Sequence, residues 1–376
     1  MRTRGLLATT LAVTVGLGCG TSEDEPCTPG CGAGFQCYFG VCIPGGDGGG
    51  TEASDVRDDG GGDDGTVPTP GKLDLLFVVD NSGSMAEEQA LMTAGFPALV
   101  DALFDPPTGA PTYPAVTELN VGVISTDMGA GTFVVRTCNG SDDGLLQHVP
   151  SPSVAGCETS YPAFLQADTA VHGADFVRDF SCIATLGTEG CGFEQPLGAM
   201  DKALTVHARA GGPNAGFLRA DAALAVVIVT DENDCSTEDP SIFDPAGTGL
   251  LALRCVTRVD QLTAVSHFAE MLDGLKPDGR LAVGMMVGVP PALAICNTTG
   301  DMIEPCLSDP LMHEEIDPAS GVVRQVCENA ETRAYPGVRF VQLAGRLGPR
   351  ALVRSICDPQ FDMFYQQLAR MALTAR

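Results

Sequence analysis

The chain has 376 residues, 44% of them hydrophobic and 18% charged, and a formal net charge of −27 with a sequence pI near 4.3. That balance, with only three lysines, excludes a nucleic-acid surface, because phosphate has to be neutralised by Lys and Arg. The length admits one large domain plus smaller pieces, and the acidic charge keeps the chain soluble while raising the local concentration of cations.

Arg2 and Arg4 precede a mostly apolar stretch, Gly5 to Gly18, that ends at Cys19. This order of charge and apolarity reads as an export signal, too short to span a membrane. Its last residues, GLGC, resemble a bacterial lipobox, although Gly16 stands where that pattern usually has Leu. The resemblance implies diacylation of Cys19 and a mature chain anchored by lipid alone in a bacterial envelope. Gly20 beside it resembles lipoproteins sent on to an outer membrane or cell surface. The alternative is an ordinary signal cleaved nearby. Of fifteen cysteines, fourteen remain once Cys19 is set aside, an even number suited to bridges in an oxidising compartment.

Residues 20–44 hold Cys27, Cys31, Cys37 and Cys42 in a unit too short for a core. Without histidine and with irregular spacing, it calls for disulfides rather than zinc. Residues 45–71 are a Gly/Asp-rich linker with almost nothing apolar, predicted to be disordered and to give reach. They lack the strand formers and the terminal Glu that calcium loops need.

Residues 72–376 read as the main domain. Leu73 to Met85, LDLLFVVDNSGSM, is an apolar run without alternation, as in a strand buried on both faces, and it ends at Asp80. Asp80, Ser82 and Ser84 follow at alternate positions with Gly83 allowing a tight turn, so three short oxygen-bearing side chains can converge. The same residue types also make turns and helix caps. A helix is predicted over 85–104, a strand over 119–126 and an antiparallel edge strand over 131–136. The helix starts at the loop, so its dipole favours anionic groups there.

From Cys138 to Cys191 the chain reads as loop, stapled by two expected pairs, Cys138 with Cys157 and Cys182 with Cys191. The second of these would brace the turn that presents Glu194, ahead of a helix over 196–210. Glu194 reads either as an ion ligand or as a carboxylate complementing the helix dipole. Ala222 to Thr230 is a second buried strand running into Asp231, with Cys235 expected to pair with Cys255. Glu232 and Asp234 read as solvated loop acids. A helix over 257–275, strands over 281–289 and 338–343, and a terminal helix over 359–375 complete the domain. A long insertion holds Cys296, Cys306 and Cys327, a set that Cys357 completes. Two acids at neighbouring strand ends in an alternating pattern predict an α/β, doubly wound, mainly parallel sheet with its ligand crevice at the carboxyl edge.

DNSGSM after a strand, with VIVTD later, resembles the von Willebrand factor type A domain and its metal-ion-dependent adhesion site. The resemblance covers about Leu73 to the C-terminus. It implies Asp80, Ser82, Ser84 and Asp231 as ligands of a divalent cation, Mg²⁺, Mn²⁺ or Ca²⁺. The family's middle-loop Thr is absent here; Glu194 is the nearest oxygen ligand. Hydroxyls and few carboxylates leave such an ion undercompensated, so a carboxylate from a protein or other macromolecular partner can complete its shell. An extra ligand at Glu194 weakens that pull, and the alternative is an envelope structural or assembly protein whose ion only braces the loops. The five histidines are scattered, and no HExxH pair, G-x-S-x-G elbow, Walker loop or dinucleotide fingerprint points to an enzyme.

Overall fold

The computed structural model describes residues 35–38, 41–44, 71–106, 114–138, 140–329 and 332–375. The chain divides into two units, Met1–Gly61 and Gly62–Arg376. In the first, strands β1 (Phe35–Tyr38) and β2 (Val41–Pro44) form an antiparallel hairpin that sets Cys37 opposite Cys42. The expected export signal, the lipid attachment at Cys19 and the linker as far as residue 70 lie outside the described residues. Among those described, no helix is long and apolar enough to cross a membrane.

The second unit is α/β. Its strands are β3 (Lys72–Val79), β4 (Glu118–Ser125), β5 (Leu165–Asp168), β6 (Ala223–Val229), β7 (Leu281–Val287), β8 (Cys327–Glu328), β9 (Arg333–Ala334) and β10 (Ala351–Ser355). Six of them form one sheet in the order β10-β7-β6-β3-β4-β5, and β8 pairs with β9 alone. Neighbours in the large sheet run parallel except β4 and β5. Every residue of β6 and β7 is buried, and β3 is buried from Leu73 onward, as strands covered on both faces must be.

The covering helices are α1 (Ala86–Phe104), α2 (Ala174–Ala184), α3 (Pro196–Lys202), α4 (Arg254–Thr257), α5 (Val265–Leu275), α6 (Val338–Leu347) and α7 (Phe361–Thr374). α1 packs against α2 and α7 on one face, and α5 packs against α3 and α6 on the other. Phe77 of β3 anchors the first face: its ring lies 4.7 Å from that of Phe180, which stacks on Phe96 at 3.7 Å. Burying rings of this size contributes about 2–3 kcal/mol each. α1 and α7 approach closely at Gly95, where a Cβ would lie 3.0 Å from the Phe361 Cβ.

From β3 the chain moves out to β4 and β5, then returns to the other side of β3 as β6 and moves out to β7 and β10. The winding therefore reverses between β3 and β6, and the loops after these two strands part, leaving a crevice at their carboxyl ends. β10, at the edge of the sheet, is covered by the insertion. Val353 N–H donates to the Thr298 carbonyl at 2.9 Å and Ser355 N–H to Asn297 Oδ1 at 2.8 Å. The Asn297 amide in turn donates to the Pro290 carbonyl at 2.8 Å. The glycosylation pattern Asn297-Thr-Thr therefore spends its amide inside the fold.

Several sequence expectations are corrected. The antiparallel edge strand is β5, Leu165–Asp168, rather than 131–136. Gly129 and Gly131 take φ of 67° and 62°, Val134 is 91% exposed, and a lone bridge joins Val135 to Cys138, so that segment has no surface to pack on. The segment 338–343 alternates like a strand but begins α6, where Phe340, Leu343, Ala344 and Leu347 make one buried stripe; β10 is the sixth strand. The helix expected over 257–275 starts at Val265, and that over 196–210 continues beyond Lys202 as a π-helical turn, Ala203–His207. α2 lies where the chain was read as loop, although Phe176, Phe180 and Ile183 already stand at helical spacing.

The cysteine pairs are Cys138–Cys191, Cys157–Cys182, Cys235–Cys255, Cys296–Cys306 and Cys327–Cys357. Cys235 with Cys255 is as expected, and Cys296, Cys306, Cys327 and Cys357 close among themselves. The expected pairs Cys138 with Cys157 and Cys182 with Cys191 are both overturned. Residues 190–192 cross to the loop after β4, where Gly192 N–H donates to the Thr137 carbonyl at 3.1 Å, so Cys191 meets Cys138. Cys182 lies in α2, completely buried, and faces the segment that carries Cys157: Ser151 N–H donates to the Cys182 carbonyl at 2.8 Å. Cys182 therefore bridges to Cys157 and does not brace the turn before Glu194. Peptide mapping without reduction should recover the Cys138–Cys191 and Cys157–Cys182 linked peptides and neither of the sequence-adjacent pairs.

Candidate metal centre

The reversal point of the sheet holds the residues the sequence singles out. β3 and β6 are paired to their last residues, Val79 with Val229, so Asp80 and Asp231 leave the sheet side by side. β4 lies on the other side of β3, with Ser125 opposite Val79, and Thr126 follows it. Asp80 is completely buried, Asp231 and Glu194 are 1% exposed and Ser82 is 4% exposed; Ser84 is half-buried. Glu194 enters from the turn before α3. Gln195 N–H donates to the Thr126 carbonyl at 3.2 Å and Cys235 N–H to the Glu194 carbonyl at 2.7 Å, so this turn is fixed to the loops after both β4 and β6. Cys138–Cys191 ties it to the β4 loop a second time.

Asp80 is held as an acceptor. Its Oδ1 receives the Ser82 N–H at 2.7 Å and its Oδ2 the Thr230 hydroxyl at 2.6 Å. The Ser82 and Ser84 hydroxyls are 3.5 Å apart. Thr126 donates its hydroxyl to Glu194 Oε2. Both carboxylate oxygens of Asp231, Oε1 of Glu194 and Oε2 of Glu88 are buried without a hydrogen-bond partner. Buried polar atoms are nearly always paired, and an orphaned carboxylate oxygen is more costly than an orphaned neutral one.

The carboxyls feel one another. Burial and the charge of Asp80 push Asp231 up to about 8, against the favourable Ser84 hydroxyl. Burial and then Asp80 also push Glu194 well above the carboxylate range, while Thr126 opposes the rise. Burial raises Asp80 itself, and it lifts Glu88 and Glu232 to about 7. Every tenfold weakening of an acid corresponds to about 1.4 kcal/mol of preference for its neutral form. A hard divalent cation meets this demand directly, since it takes carboxylate and hydroxyl oxygens and relieves repulsion among them. Among the described residues no three or more His, Cys, Asp or Glu side chains form a ready-made cage; the donor set at Asp80 consists of carboxylates and hydroxyls together.

All five sequence-predicted residues, Asp80, Ser82, Ser84, Asp231 and Glu194, thus meet in one place. Glu194 is no solvated helix-end carboxylate: it is buried two residues before Pro196, the first residue of α3. Asp234, read as a solvated acid, is buried and pairs with Arg339, whose Nε lies 2.9 Å from its Oδ2. Its other oxygen accepts the Leu197 N–H at 3.0 Å. Glu232 is half-buried rather than solvated. Thr126, Thr230 and Glu88 were missed. A signal for the first existed, because residues 124–127 read ISTD where the later strand ends VTD. Asp127, however, turns away to accept the N–H groups of Gly129 and Cys191 at 2.8 and 3.2 Å.

No family model matches the chain. No curated protein matches it either. Among solved structures, the human COPII-coat protein Sec24c is similar over 64% of this chain and 28% of its own, at 14% identity and a TM-score of 0.31. Proximal thread matrix protein 1 from the mussel byssus is similar over 80% of this chain and 48% of its own, at 11% identity and a TM-score of 0.34. The chain spans less than half the length of either, and likeness at this level carries nothing to its fold or function.

Proposed function

We propose that residues 72–376 form a von Willebrand factor A-type module that holds one divalent cation, Mg²⁺, Mn²⁺ or Ca²⁺, between Asp80, Ser82, Ser84 and Asp231, with Glu194 as a further ligand. Anchored by lipid at Cys19 in a bacterial envelope, it binds a protein or other macromolecular partner through that ion and catalyses no reaction. The observation that carries this reading is the pair of unpartnered, buried oxygens on Asp231 beside that on Glu194. Oxygen ligands of this kind suit a hard cation. The two serine hydroxyls add no charge, which leaves the ion able to accept an acidic group from outside.

One observation favours a second reading. Glu194 is a third carboxylate beside Asp80 and Asp231, and all three are almost wholly buried. Three such charges overcompensate a divalent ion, and the cation then braces the loops of an envelope structural protein. Pull-down from envelope extract by the mature chain, in Mg²⁺ or in EDTA, separates the two. Capture lost in EDTA supports partner binding through the ion; capture unchanged with a lowered melting temperature supports the brace.

In titration calorimetry Asp80→Asn should weaken divalent binding at least tenfold, about 1.4 kcal/mol. In EDTA the same variant should melt no lower than the parent, because it removes a buried charge and keeps an acceptor for the Ser82 N–H. Equal affinities would exclude Asp80 as a ligand.

Stability should also depend on pH with a definite sign. The folded carboxyls titrate above their unfolded values, so the unfolded chain releases its protons first as pH rises. In EDTA, stability should therefore be greatest below about 4 as far as these groups are concerned, and fall toward pH 8, the value that Asp231 reaches. The slope is about 1.4 kcal/mol per pH unit for each proton retained only by the folded state. Saturating Ca²⁺ or Mg²⁺ should flatten the fall; thermal melts at about pH 5 and about pH 8, with and without cation, check it.

A further inference from the structure

The loop that carries Asp231 is held from outside the sheet. Tyr335 N–H donates to the Asp231 carbonyl at 2.8 Å. Asn233 donates its amide to Glu314 at 2.9 Å and accepts the Arg339 N–H at 3.1 Å. All these contacts come from the insertion between β7 and α6 and from its junction with that helix. The β8–β9 hairpin sits in the same stretch, and Arg333 of β9 is two residues from Tyr335. Its root is fixed by Cys327–Cys357 and by Val326 N–H donating to the Ala334 carbonyl at 2.8 Å.

The hairpin brings Arg333, which is exposed, within electrostatic reach of two of the carboxyls. Arg333 opposes the upward displacement of both Glu88 and Glu232, and those two groups in turn act on Asp231. Glu88 is 1% exposed with its Oε2 unpartnered. A guanidinium in this position has no proton to give up at neutral pH and keeps its charge. It therefore repels any cation that enters, while compensating carboxylates that a single divalent ion leaves unneutralised.

We propose that the β8–β9 hairpin is a built-in electrostatic cover for the candidate cation centre, pinned by Cys327–Cys357 and the Tyr335–Asp231 hydrogen bond, with Arg333 as the counter-charge that sets how tightly the ion is held. This rests on the cation reading of Asp80 and Asp231. It goes beyond that reading in assigning the insertion a role at the centre. Because the cover and the ion grip one loop, through the carbonyl and the carboxylate of Asp231, each stabilises the other's contact with it, while their charges oppose one another.

The test titrates Ca²⁺ and Mg²⁺ into the mature full chain, its Arg333→Ala and Arg333→Lys variants and the Asp80→Asn control. Arg333 is exposed, so its variants should keep the parent melting temperature in EDTA. Arg333→Ala should bind either cation several-fold more tightly, with the gain shrinking as NaCl is raised, as expected of a charge effect between partly exposed groups. Arg333→Lys should match the parent. Hydrogen exchange should show the Tyr335 amide better protected with Ca²⁺ than in EDTA. If the parent binds cation and Asp80→Asn does not, yet Arg333→Ala equals the parent at every salt concentration, the cover is overturned and the centre stands. If neither the parent nor Asp80→Asn binds cation, the centre fails and the cover with it.

Discussion

The structure turns on carboxyl groups taken out of water at the ends of apolar strands. Asp80 and Asp231 are carried inward because β3 and β6 are buried to their last residues, and the two strands are paired in register. Among the described residues, neither acid has a cationic side chain in hydrogen-bonding contact. Asp80 is satisfied by one N–H and one hydroxyl, and the carboxylate of Asp231 has no hydrogen-bond partner at all. Burying ionised carboxylates without pairing costs several kcal/mol each, so the fold needs either protons or a cation here. Elsewhere the chain does pair its buried acids: Asp74 with Arg219 at 2.7 Å and Asp234 with Arg339 at 2.9 Å. The contrast marks the Asp80 cluster as the one built for something other than packing.

Loops that hold repelling groups together have to be fixed from elsewhere. A second hydrophobic cluster, with Phe193, Phe243, Ile242 and Val135, lies over the loops after β4 and β6 and includes Cys138, Cys191 and Cys235. Cys138–Cys191 spans 53 residues and Cys235–Cys255 spans 20. Closures of this size remove about 3–4 kcal/mol of unfolded-chain entropy in the chain-entropy account. Glu194 sits next to Phe193, so its backbone is set by apolar packing and a disulfide before its charge is considered.

The readable part of the fold is the part whose pattern is local. Uninterrupted apolar runs mark β3, β4, β6 and β7, and acids directly after two of them mark Asp80 and Asp231. Where a short apolar segment fits two periods, the reading failed: VRFVQL alternates, yet α6 wins because Phe340, Leu343 and Leu347 share a helical face. The segment 131–136 is β-like in composition but has nothing to bury against. Disulfide partners were illegible for a different reason. Cys138 and Cys157 are neighbours among the cysteines in sequence, but the contact of Gln195 with Thr126 brings the pre-α3 turn, and with it Cys191, to the β4 loop. Cys182 is then left to Cys157, because α2 carries it to the other side of that loop. Thr126 escaped notice because its role depends on a glutamate 68 residues away.

Glu194 changes what the centre can do, through charge rather than shape. With a neutral hydroxyl at that position, two carboxylates would balance a divalent ion and an incoming anion would find no net repulsion. A third buried carboxylate reverses the balance, and Glu88 and Glu232 stand close enough to raise Asp231 further. An acidic partner then approaches a site that is negative even when loaded, unless a positive group on the same chain offsets it. Arg333 is the cation that acts on both flanking acids, so the hairpin's position decides whether the loaded centre attracts or refuses an anion. The insertion between β7 and α6 is thereby tied to the chemistry of the centre, and the geometry that fixes it, Cys327–Cys357 at one end and Tyr335 on Asp231 at the other, is part of the site.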